Sequence, residues 1–186
     1  MTKAWPLLSS QPVAEVGLFS VTRDRALSPR TDQERDFYVV HMPDWLQIVA
    51  LTSQGRLIMV RQYRHASRRI GLEVPGGLLD AADPDPVAAA LRELKEETGY
   101  AGGETRDLGS YWPQPALLAN RVHFVAASGM VPTGAQEQDA GEDIEVVLVA
   151  PDDLERLLAD GEINNAMSVM ALGLAGQAGV LSRRGK

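Results

Sequence analysis

Apolar and polar residues roughly alternate over residues 13–23, and residues 36–42 are rich in β-branched and aromatic types, so both segments are predicted to be strands. The polar stretch between them, residues 24–34 with Pro29 inside it, reads as a loop or hairpin connection. Pro43-Asp44 then interrupts the pattern, and residues 45–51 and 56–63 form a second strand pair joined by a turn at Ser53-Gln54-Gly55. Residues 72–74, 108–112, 122–127 and 144–149 are shorter strand candidates. Pro113-Gln114-Pro115-Ala116 separates two of them as a stiff loop expected at one end of a sheet.

Residues 86–98 carry the clearest helical signal. Asp85 stands at the N-cap, Pro86 at the first helical position and Gly99 just past the end. At about 100° per residue, Val87, Leu91, Leu94 and Thr98 make one sector, while Glu93, Glu96 and Glu97 share another. Two such carboxylates about 5.5 Å apart repel by about 3 kcal/mol at an effective dielectric near 20, which favours a cation among them. A second helix opens at Pro151-Asp152-Asp153 and closes at Gly161, and Asn164 or Asn165 caps a third running to about Ala175. The basic tail from Gly176 is expected to fray.

Length and composition narrow the class. A chain of 186 residues, 45% hydrophobic, buries a real core and fits one principal domain with an elaboration, with a boundary near Pro43. A net charge of −7 without a basic run argues against a broad nucleic-acid face, so nucleic acid is not an expected partner. With no cysteine, thiolate metal sites and cysteine nucleophiles are excluded. The first ten residues lack the pattern of a signal peptide and no apolar run is long enough to span a bilayer, so a soluble cytoplasmic protein is the expectation. The one basic cluster, residues 64–69, is either a solvated loop or a binding element for an anion. Arg61 and Arg64 could approach a phosphate or ribose, and Trp45 and Tyr63 could stack on a base or pack in the core. Pro75-Gly76-Gly77 permits a close backbone approach or a positive φ of the kind a ligand loop needs.

Residues 77–100 resemble the Nudix box, G-x5-E-x7-R-E-U-x-E-E-x-G-U, where U is bulky and apolar. Arg92, Glu93, Leu94, Glu96, Glu97, Gly99 and Tyr100 match its second half. The first half departs from it: counting back from Arg92 puts Pro84 where the first glutamate belongs, so either Asp83 replaces it after a one-residue insertion or the role is vacant. Beyond the box, residues 45–64, 72–77, 113–124, 142–149 and 164–171 look like the branch containing ADP-ribose pyrophosphatases and related nucleotide-sugar hydrolases.

The resemblance implies an α/β (α+β) Nudix fold, with a mixed β-sheet sandwiched between helices. Residues 1–42 would form an N-terminal antiparallel β extension that makes a homodimer, and residues 43–186 the catalytic domain. It implies a metal-dependent diphosphohydrolase, using Mg²⁺ or Mn²⁺, that cleaves ADP-ribose or a related nucleoside diphosphate sugar to a nucleoside monophosphate and a sugar phosphate. Dinucleotides or nucleoside di- and triphosphates are alternative substrates, and a non-catalytic nucleotide-binding protein is an alternative of another kind. By resemblance, Glu93, Glu96, Glu97 and the Gly76 carbonyl hold the metal, with Arg92 orienting a box glutamate. Glu142 is the expected general base, with Asp139 and Asp143 as alternatives, so Glu142, Glu96 and Arg92 form the catalytic set. Arg61, Arg64 and Trp45 are the substrate-binding candidates. A small-molecule nucleoside diphosphate derivative is the expected partner, with no membrane.

Overall fold

The computed structural model describes residues 2–138 and 141–181, which fall into two compact units. The first takes the chain up to Asp44 together with Tyr111–Arg121. Its sheet has the order β1 (Leu7–Val16), β2 (Phe19–Leu27), β3 (Glu34–His41), antiparallel throughout. The strand predicted over residues 13–23 is in fact two strands. Gly17 adopts φ +51°, a left-handed geometry suited to a tight reversal, and the chain folds back so that Val16 faces Phe19. The connection predicted over 24–34 shrinks correspondingly to residues 28–33, where the Ser28 hydroxyl accepts the N–H groups of Arg30 and Thr31. Tyr111–Arg121 joins this unit by backbone bonds: Val40 N–H donates to the Leu117 carbonyl at 2.9 Å, and Ala119 N–H to the Val40 carbonyl at 2.9 Å. The Arg121 guanidinium lies 5.1 Å from the Trp112 ring centre.

The second unit is built on a seven-stranded sheet. Its main path is β10 (Glu145–Val149), β5 (Leu57–Arg64), β4 (Trp45–Thr52), β9 (Val122–Pro132), β7 (Tyr100–Ala101). The hairpin strand β6 (Arg69–Glu73) pairs with β5, and β8 (Glu104–Tyr111) pairs with β9. Only β4 and β9 run parallel among the registered pairs, which makes the sheet mixed. Period-2 alternation sends side chains to opposite faces. Ile48, Ala50, Ile58, Val125 and Ala127 pack on one side with Ala90 and Leu94 of α1 (Pro86–Thr98). Val49, Leu57, Met59, Phe124 and Val149 pack on the other with Leu157 of α2 (Leu154–Ala159) and Ala171 and Leu172 of α3 (Ala166–Gln177). The sheet is therefore sandwiched between helices, as expected. Each fully buried large side chain, Phe124 or Leu94 for example, contributes about 1.5–3 kcal/mol relative to exposure.

The helix α1 starts and stops where its residues require. Asp85 accepts the N–H groups of Val87 and Ala88 at 2.8 and 2.9 Å, and Gly99 takes φ +71° with its N–H on the Lys95 carbonyl. Asn165 caps α3 in the same way. Differences from the predicted elements are concentrated in strand ends. Strand β6 begins at Arg69 rather than at Leu72, so the basic stretch 64–69 is a tight hairpin and not a loose loop. Strands β8 and β9 are longer than residues 108–112 and 122–127, and β7 was not expected at all. The tail from Gly176 is partly helical and turned as far as Leu181; residues 182–186 lie outside the described residues.

Candidate active site

After β6 the chain stays extended alongside β4: Leu46 N–H donates to the Gly77 carbonyl and Ile48 N–H to the Pro75 carbonyl, each at 2.9 Å. Residues 75 and 77 thus face β4, and Gly76 turns its polar groups the other way. Its N–H donates to Glu97 Oε2 at 3.0 Å, and by the alternation of an extended chain its carbonyl lies on that same side. Neither glycine is chosen for a positive φ; both are chosen for contact. A methyl on Gly76 would strike the Leu46 carbonyl, and one on Gly77 would overlap the Glu93 carboxylate. Close approach, one of the two uses predicted for this turn, is the one observed.

The acidic strip of α1 is not the open face that its spacing suggests. Glu97 is only 3% exposed, and the carboxyl of Glu93 is mostly covered. Burial pushes the Glu97 carboxyl up to about 8, with the Gly76 N–H opposing and the charges of Glu93 and Glu142 reinforcing the shift. Burial raises Glu93 too, against the pull of Arg92. Arg92 lies at the centre of the cluster: Nη1 donates to Glu93 Oε1 at 3.0 Å and to Glu96 Oε2 at 2.9 Å. Its other edge forks onto Asp83, Nε to Oδ1 at 3.1 Å and Nη2 to Oδ2 at 2.9 Å. The Asp83 hydrogen bond holds the guanidinium firmly protonated, and Arg92 in turn holds the Asp83 carboxyl below the usual range. Asp83, the substitute offered by the first of the two options the sequence leaves open, is thus bonded to Arg92, and Asp80 N–H donates to Asp83 Oδ2 at 2.9 Å.

Residues 133–138 are tied to the end of α1, Thr133 N–H donating to the Gly99 carbonyl and Glu137 N–H to the Glu96 carbonyl. Gln136 Nε2 donates to the carbonyls of Glu97 and Ile144, and Gln138 pairs with both the N–H and the carbonyl of Ile144. Lys95 Nζ reaches Glu137 Oε1 at 3.1 Å. Glu142 and Asp143 both line a cavity of about 710 Å³, whose walls also include Gly76, Gly77, Glu97, Trp45, Tyr63 and Arg64. Asp139, the remaining alternative base, lies outside the described residues.

The structure therefore gathers Trp45, Arg64, Gly76, Glu97 and Glu142 in one cavity, while Glu93 and Glu96, each bonded to Arg92, are not among its lining residues. Arg61 is not among the residues lining that cavity; it forms a cross-strand ion pair with Glu145 at 3.0 Å. Sequence reasoning missed Glu73, which pairs with Arg64, and read Asn165 only as a helix cap and not as part of the cavity wall. The signal for Glu73 was available, since a carboxylate inside an apolar strand requires a buried partner.

The donors available for a metal are all oxygens, which suits a hard divalent cation. The raised Glu97 and Glu93 carboxyls mark a desolvated negative cluster that a cation would relieve, so the residues fit the group. Among the described residues no three acidic groups converge into a ready cage, because Glu93 and Glu96 are both turned to Arg92.

A carboxylate-rich cavity walled by an arginine defines an enzyme that handles an anion with the help of a divalent cation. The chain belongs to the Nudix family: residues 42–170 match the NUDIX domain. It is similar to an ADP-ribose pyrophosphatase of Bacillus subtilis, 32% identical over 72% of each chain. A GDP-mannose pyrophosphatase of Klebsiella pneumoniae is also 32% identical, over 68% of this chain and 67% of that protein. In fold, a solved structure of an ADP compounds hydrolase superposes with a TM-score of 0.86 at 24% identity, covering 100% of this chain and 99% of that one. The protein is thus a Nudix hydrolase acting on pyrophosphate bonds, in a family that generally uses a divalent metal. No helix among the described residues is long and apolar enough to cross a membrane.

Proposed function

We propose that this hydrolase cleaves the diphosphate of ADP-ribose or a closely related nucleoside diphosphate sugar, with Mg²⁺ or Mn²⁺, to a nucleoside monophosphate and a sugar phosphate. The observation that carries the reading is the cavity itself, which sets Glu97 and Glu142 among Arg64, Trp45 and Tyr63, so that acid–base, phosphate-binding and stacking groups share one space. The names of the relatives support the substrate class.

A divalent cation held by Glu93, Glu96, Glu97 and the Gly76 carbonyl would neutralise diphosphate oxygens and acidify a water. Glu142 would take the proton from an attacking water as the water oxygen bonds to phosphorus and the bridging P–O bond breaks, the bridging oxygen leaving on the second phosphate. Arg64 offers its guanidinium to the diphosphate charge, while Trp45 and Tyr63 border the room for a base or sugar ring. Arg92, fixed by Asp83, keeps Glu93 and Glu96 in place and does not touch substrate.

In a panel of ADP-ribose, GDP-mannose, NADH and nucleoside triphosphates with Mg²⁺, the nucleoside diphosphate sugars should show the highest kcat/KM, with the nucleoside monophosphate identified by mass. Absence of turnover on every member at saturating metal would remove the reading.

We further propose that the first unit mediates a homodimer. All of β1 is exposed, and Leu7, Val13, Val16, Phe37 and Tyr38 are exposed apolar residues on a sheet of three strands, of the sort that marks an interface. Light scattering should report the mass of two chains, and a single-chain mass would refute it.

A further inference from the structure

Glu73 is 2% exposed, at the end of β6 after Ile70, Gly71 and Leu72. Its carboxylate receives a two-pronged bond from Arg64, Nε to Oε1 at 3.2 Å and Nη2 to Oε2 at 2.8 Å. A third bond comes from Asn165 Nδ2 to Oε2 at 2.8 Å. Asn165 is in turn fixed as the cap of α3, and Ser168, one turn on, accepts the Val74 N–H at 3.1 Å. Strands β5 and β6 and the start of α3 are therefore joined at one carboxylate. Arg64 uses only Nε and Nη2 in this fork, so Nη1 is left without a bond among the described residues on a side chain that lines the cavity. Although partial burial works against its charge, the Glu73 hydrogen bond and charge, with Glu97 and Glu142 behind them, hold Arg64 more firmly protonated than a free arginine.

An ion pair with one buried and one half-exposed partner is a modest source of stability. What it supplies is a fixed direction. A planar guanidinium held by two parallel bonds has lost the freedom of its long side chain before any ligand arrives. We propose that Glu73, braced by Asn165, is a positioning residue that holds Arg64 with its Nη1 edge presented to the phosphate of a nucleoside diphosphate substrate. Glu73 acts through Arg64 and touches no substrate itself. The proposal rests on the reading of the cavity as a diphosphatase site.

The test is steady-state kinetics with ADP-ribose and saturating Mg²⁺. Glu73→Gln keeps the size of the side chain but breaks the fork, so KM should rise about tenfold while kcat stays within about threefold. In an Arg64→Ala background the same substitution should change KM by less than about twofold, because the brace then holds nothing. Asn165→Ser retains a capping oxygen and removes the third bond, so it should raise KM in the same sense by a smaller factor, and it carries the test if Glu73→Gln does not fold. Arg64→Lys in the wild-type background should fail to restore KM, since an ammonium cannot form the fork. An unchanged KM in a folded Glu73→Gln or Asn165→Ser protein, or an undiminished effect in the Arg64→Ala background, overturns the proposal while wild-type turnover stands. A wild-type chain silent on the whole substrate panel overturns the functional reading and this proposal with it.

Discussion

Glu97→Gln is expected to lower kcat/KM by about 10² to 10³ and to weaken metal binding together with it, because the carboxylate that leaves is the most buried of the cluster. The same substitution should change how the metal-free protein responds to pH. The folded-state carboxyl titrates at about 8 against an ordinary value of 4.5, so between these values the native chain keeps a proton that the unfolded chain has released. Stability contributed by this group is complete below about 4.5, falls as pH rises, and is gone once pH passes about 8. The loss should be on the order of a few kcal/mol. Thermal unfolding in the presence of a chelator, at pH 5 and pH 9, reads it directly. Wild type should show the larger drop and Glu97→Gln a smaller one. Equal drops in the two proteins would place the pH sensitivity elsewhere.

Glu142→Gln is expected to reduce kcat by about 10² to 10⁴ with little effect on metal affinity, as removal of a general base would. Its position supports that role: it lines the cavity and its charge is felt by both Glu93 and Glu97. Isothermal titration with Mn²⁺ separates the two roles. If turnover stays near the wild-type value, the base is another group, and Asp143 on the same cavity wall is the next to replace.

The acidic helix was legible because every device that defines it is local. Asp85, Pro86 and Gly99 act within one turn of themselves, and the glutamate spacing needs only the helical period. Which part of the helix surface is covered is not local. The strip that holds Glu93, Glu96 and Glu97 looked open by spacing, yet the Pro75–Gly77 segment beside β4 closes over Glu97 and lets Glu96 remain more exposed. The hairpin at Gly17 was hidden because alternation continues on both of its sides, so the period does not show the turn. Choosing between Arg61 and Arg64 needed the register of three strands. Arg61 is opposite Glu145 on β10, whereas Arg64 is opposite Arg69 on β6 and its side chain reaches along the hairpin to Glu73, nine residues away in sequence. Long-range pairing of that kind is not written in any short window. The joining of Tyr111–Arg121 to the first sheet is another instance, since its two prolines announced a loop but not its neighbours.

The Asp83 fork bears on how such chains are recognised. The turn after Leu78 folds on Asp80 and delivers the shorter carboxylate of Asp83 to the Arg92 guanidinium. What this site holds is the reach of an acid to an arginine, at a residue count that differs from the G-x5-E-x7-R spacing. A pattern search that demands the count would pass this chain by, while one that asks for any acidic residue able to close a loop onto Arg92 would retain it, and would admit further chains whose loops have drifted in length.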